Sequence, residues 1–87
     1  MSLPDPRDVK RCLIVAGPYR NPHNPDGKPV HEVALITNGK YSSTLAVCRT
    51  RRTGIARAKR ERTLRQLGKD VPIFTRFPSE DPVLVKE

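Results

Sequence analysis

The sequence predicts a small α+β protein: a mainly antiparallel sheet in the order β-β-β-α-β with one basic amphipathic helix packed on it. Three observations lead there. Asn38-Gly39 stands between two apolar runs, the composition of a two-residue hairpin turn whose central residues both take positive φ. The segment from Thr53 to Leu67 is mostly Ala, Arg, Lys, Glu and Leu and is followed by Gly68, the pattern of a helix with a glycine at its C-terminal end. The chain has 87 residues, 36% of them hydrophobic, with two Tyr and two Phe, which limits it to one small core.

Taken in order, residues 1–9 carry Pro4 and Pro6 beside Asp5, Arg7 and Asp8 and are expected to form a disordered arm. Residues 10–77 form the single α+β domain. Its first strand is expected at Arg11–Ala16, where continuous rather than alternating apolarity suits a central strand covered on both faces. Gly17-Pro18 ends that run. Tyr19–Pro29 holds three prolines, two asparagines and Asp26-Gly27, which is turn chemistry throughout, so a long loop able to contact a partner is expected.

His31–Thr37 and Tyr41–Arg49 flank the Asn38-Gly39 turn and are expected to pair antiparallel. An uninterrupted register places Thr37 opposite Lys40, Ile36 opposite Tyr41, Ala34 opposite Ser43 and Glu32 opposite Leu45. A rival reading starts a helix at Ser42 and runs it into the basic segment. The β-branched Thr44, Val47, Thr50 and Thr53, with Gly54, argue against it. Pro72–Phe77 reads as a short strand at the sheet edge, because prolines bound it. Residues 78–87 are expected to be a C-terminal tail or a last edge strand.

Charge is concentrated in one place. Between Arg49 and Arg65 lie eight cations, Arg49, Arg51, Arg52, Arg57, Lys59, Arg60, Arg62 and Arg65, against the single acid Glu61. That window carries +7 of a whole-chain net charge of +8, so the rest is nearly neutral. With Thr53 as N-cap, helical spacing puts Ala56, Leu64 and Leu67 on one stripe facing the sheet and turns Arg57, Arg62 and Arg65 outward. Glu61 to Arg65 has the favourable order for an i, i+4 pair and Arg57 to Glu61 the poorer one. At the start of the helix, the Thr53 hydroxyl, the Gly54 amide and the Arg51 and Arg52 guanidinium groups are expected to converge on an anion.

Cys12 and Cys48 lie in apolar runs and read as buried thiols, a disulfide between them being the lesser expectation. No CxxC, HExxH, GxSxG or phosphate-binding glycine loop occurs, and His23 with Asp26 in the long loop is too sparse a pattern for acid–base chemistry. No catalytic residue, metal or cofactor is therefore expected. The first ten residues lack the apolar core of a signal peptide, and no run approaches the roughly 20 apolar residues of a membrane span, so the expected location is cytoplasmic.

Seven of the eight clustered cations are Arg, whose planar fork suits phosphate, whereas a merely solvated face is served equally by Lys. In composition the segment is similar to the arginine-rich peptides that bind RNA as helices. The function expected is that of a small basic nucleic-acid-binding protein, for RNA or DNA, using the arginine-rich helix on the phosphate backbone. The alternative is a non-catalytic regulator or inhibitor that docks an acidic surface of a larger protein.

Overall fold

A computed structural model of the chain describes residues 9–20, 27–78 and 80–86. It is α+β, as the sequence predicts, with one helix on a five-stranded sheet. The elements run β1 (Arg11–Tyr19), β2 (Val30–Thr37), β3 (Lys40–Cys48), α1 (Arg51–Leu64), β4 (Ile73–Arg76) and β5 (Val83–Leu84). The strands lie in the order β3-β2-β1-β4-β5.

The continuous apolar run makes β1 the central strand, antiparallel to β2 and parallel to β4. Its side chains alternate between two buried faces. Leu13 and Val15 join Val33, Ile73 and Ala58 beneath the helix, with Leu35, Leu45, Ala46, Ile55 and Leu67 packed around them. Cys12 and Ile14 join Phe74 on the opposite face, with Val9, Ala16 and Ile36 against them. Val9 thus belongs to this second cluster although it falls in the segment expected to be an arm; residues 1–8 of that arm lie outside the described residues. The strand also continues past Gly17-Pro18 to Tyr19, its ladder with β2 shifting between Ala16 and Tyr19.

The hairpin turn forms where expected, with Asn38 at φ 53° and Gly39 at φ 78°, the signs a type I′ turn requires. Thr37 faces Lys40 and Ile36 faces Tyr41, as predicted. Beyond that point two irregularities in the ladder each displace β3 by one residue, so Leu35 meets Ser43, Ala34 meets Thr44 and Glu32 meets Val47. The first extra residue turns Thr44 away from the helix and the second restores the original alternation, so that Ala46 and Cys48 line the helix side while Thr44 and Val47 face the other way. Strand β3 is an edge strand and the helical reading of residues from Ser42 does not hold.

Pro72–Phe77 was expected at the sheet edge, but β4 lies between β1 and β5. The edge on that side is the two-residue β5, whose Val83 and Leu84 pair with Thr75 and Phe74. Pro72 is compatible with the interior position because it precedes the strand and needs no N–H; its carbonyl instead accepts a hydrogen bond from the Leu13 amide at 3.0 Å.

Candidate nucleic-acid interface

The basic helix begins three residues earlier than its sequence suggests. Thr50, not Thr53, is the N-cap: the Thr53 amide donates to Thr50 Oγ1 at 3.1 Å and the Thr50 amide donates to Thr53 Oγ1 at 3.3 Å. This is a capping box in which threonine takes the place usually held by Glu or Gln. The Gly54 amide donates to the Thr50 carbonyl at 3.0 Å. The Thr53 hydroxyl also donates to the Thr50 carbonyl, at 3.0 Å, so both groups expected to bind an anion, that hydroxyl and the Gly54 amide, are taken up within the helix. Arg51 and Arg52 are not ahead of the helix but form its first turn, which contains no acid to balance them.

The far end also differs. Arg65 is the C-cap and Gln66 takes the left-handed conformation at φ 54°. The Leu67 amide donates to the Arg62 carbonyl at 3.0 Å and the Gln66 amide to the Thr63 carbonyl at 3.1 Å, a Schellman motif two residues before Gly68. Leu67, the residue after the left-handed one, packs on the helix-side core, as expected of that position.

The face turned to the sheet is not the predicted stripe. Gly54, Ala58 and Glu61 are buried, with Ile55 and Arg62 partly so, whereas Ala56 is exposed and Leu64 is 63% exposed. Close approach explains the choice. A Cβ placed on Gly54 would lie 2.6 Å from Val15 Cγ1, so only glycine lets the helix settle this near β1, and Ala58 continues the same seam one turn on. A stripe bearing Leu64 would hold the helix further off.

Burying this seam also buries Glu61, which is 6% exposed and accepts from Arg57 Nε at 3.0 Å and from Arg65 Nε at 2.9 Å. The hydrogen bond from Arg65, helped by Arg57, outweighs desolvation and holds the Glu61 carboxyl below its ordinary pKa. Arg62 turns toward the α1–β4 connection, donating to the Val71 carbonyl at 3.0 Å and to that of Lys69 at 3.5 Å. Three of the eight cations, Arg57, Arg62 and Arg65, therefore have structural partners, and Arg62 does not face outward as expected.

The other five are exposed: Arg49, Arg51, Arg52, Lys59 and Arg60. Arg51 lies over the Phe77 ring, its Cζ 4.8 Å from the centroid, a cation–π contact that holds it against the end of β4. Arg52, Ala56, Lys59 and Thr63 follow one another at helical spacing along the outer surface. Two shallow depressions flank this row and share Lys59. One, about 520 Å³, is lined by Arg51, Arg52, Ile55, Ala56 and Lys59. The other, about 600 Å³, is lined by Lys59, Arg62, Thr63, Gln66, Gly68 and Lys69. Together they form a trough along the helix with no acidic side chain among the described residues of its lining.

Cys12 and Cys48 are free and belong to clusters on opposite faces of the sheet, which rules out the disulfide. Burial raises the Cys12 thiol to about 11, leaving it protonated and unreactive at neutral pH. His31 is buried on β2, its Nδ1 without a hydrogen-bond partner. His23 and Asp26, with the middle of the long loop, lie outside the described residues. Among the described residues no group of three or more His, Cys, Asp or Glu could hold a metal ion, and no helix is long and apolar enough to cross a membrane. No family model, curated protein or solved structure matches the chain.

Proposed function

We propose that this is a non-catalytic nucleic-acid-binding protein that engages the phosphate backbone through the outer face of α1 and the arginine that precedes it. The observation that carries the reading is the division of labour among the clustered cations. Arg57, Arg62 and Arg65 are committed to Glu61 and to the α1–β4 connection, while Arg49, Arg52, Lys59 and Arg60 are exposed and their side chains make no ion pair or hydrogen bond within the described residues. With Arg51, they make five like charges, four of them on about 14 Å of helix, at 1.5 Å per residue, and Arg49 just ahead of the cap. Such a surface is electrostatically unfavourable by itself and is relieved by a polyanion.

Fluorescence-anisotropy titration with a mixed-sequence nucleic acid at about 150 mM salt tests the reading. Non-specific phosphate binding predicts a dissociation constant of roughly 10⁻⁴ to 10⁻⁶ M. Binding undetectable under those conditions, together with a complex of defined stoichiometry with an acidic protein, would overturn it in favour of a docking regulator.

A further inference from the structure

We infer that the nucleic acid is a DNA duplex, held with α1 in the major groove and read by its two backbones rather than by its bases; the inference rests on the nucleic-acid reading of the same helix. The first observation is where the cations stand. Ala56 and Thr63, both short side chains, lie at the middle of the exposed face, and each also lines one of the two depressions. Helical spacing sets Arg52 and Lys59, which line the trough, on one side of that midline and Arg60 on the other. A helix face with small residues along its middle and positive charge on both sides matches a groove walled by two phosphate strands. The B-DNA major groove, about 12 Å wide, admits a helix, whereas the deep, narrow major groove of A-form RNA does not.

The second observation is the lack of a stacking platform along α1. Single strands are gripped by aromatic side chains on which bases stack. No aromatic residue occurs from Arg49 to Lys69. Phe74 is fully buried, and Arg51 covers the Phe77 ring. Tyr41 stands in register with Ile36 and Cys12 on the sheet face opposite the helix, where its hydroxyl meets Thr44. A single strand lying along α1 would find charge for one backbone and nothing for its bases.

The test compares three probes of one mixed sequence, a 20-base-pair DNA duplex, its single strand and the corresponding RNA duplex, in anisotropy titrations at about 150 mM salt. Counterion release makes each phosphate contact worth on the order of fivefold at this salt, so losing the Arg60 flank is expected to weaken the single strand by at least about fivefold relative to the DNA duplex. The RNA duplex is expected to be weaker as well. Lys59→Gln and Arg60→Gln, one on each flank, are each expected to weaken DNA-duplex binding about fivefold. Single-strand or RNA-duplex binding as tight as that of the DNA duplex, or an Arg60→Gln variant with unchanged duplex affinity, would overturn the two-walled docking while leaving a nucleic-acid function standing. Failure to bind all three probes would overturn the nucleic-acid reading itself.

Discussion

Gly54 is the residue on which the helix seat depends. A methyl group there would press to 2.6 Å on Val15 Cγ1, and Val15 is both β-branched and 1% exposed, so it has neither a free rotamer nor room to move. Gly54→Ala should destabilise the fold by about 1–3 kcal/mol even though alanine is the better helix former. Adding Val15→Ala should recover part of that loss, so the two changes should be less than additive in urea unfolding. Additive losses would mean that the helix does not rest on Val15.

Glu61 is the second decisive residue, and it makes a pH dependence. Its carboxyl pKa is lowered in the folded chain, first by the Arg65 hydrogen bond. A carboxylate with a depressed folded pKa contributes stability that is fully present above its unfolded value, near 4.3, and is lost as pH falls through the folded value. The wild-type melting temperature should therefore drop on acidification below about pH 4, and Glu61→Gln should lower it at pH 7 while flattening that acid limb. An identical acid limb in both proteins would show that the pairing with Arg57 and Arg65 does not stabilise the fold.

At the scale of elements, the helix reverses an expectation drawn from hydrophobicity alone. Leu64 is the more apolar residue but is exposed, and Arg62 is the more polar but is half-buried and hydrogen-bonded to Val71. Leu64→Ala should cost under about 0.5 kcal/mol and Arg62→Ala about 1–3 kcal/mol, because a charge-assisted bond to a carbonyl is lost. Chemical denaturation of both variants gives the order, and a larger cost at Leu64 would contradict the packing described. For the hairpin, Gly39→Val should cost more than about 1 kcal/mol, since a β-branched residue is strained at φ 78°. An unchanged melting temperature would contradict a left-handed residue there.

These elements also show what a sequence discloses and why the rest stays hidden. The Asn38-Gly39 turn and the central strand Arg11–Ala16 were legible because each is set by a few adjacent residues. The register of β3 was not, because bulges at Ser42 and near Leu45 are set by which side chains the helix covers. The interior place of β4 depends on a parallel pairing with β1 across some sixty residues of chain, to which Pro72 gives no clue. The seam of Gly54, Ala58 and Glu61 was missed because close packing prefers small residues and hydropathy ranks them low. The eight cations were legible as a cluster. That three of them are committed to structure emerged only with the partners Glu61 and Val71 in place.

For the whole molecule, nearly all the net charge of +8 comes from one helix and its approach, carried on an otherwise almost neutral sheet. Such an arrangement gives a directional electrostatic surface, and its affinity should be governed by counterion release. The most direct measurement is the salt dependence of binding to a DNA duplex, for the wild type and for a variant with Arg52→Gln, Lys59→Gln and Arg60→Gln together. These three are exposed and away from the Gly54–Ala58 seam, so the variant should keep its fold. With Arg49, Arg51, Arg52, Lys59 and Arg60 on phosphates, log K against log salt should slope by about −4 to −5 in the wild type, and by about two to three units less in the variant. A wild-type slope shallower than about −1, or a slope that the triple substitution leaves unchanged, would contradict the claim that this helix face is the binding surface.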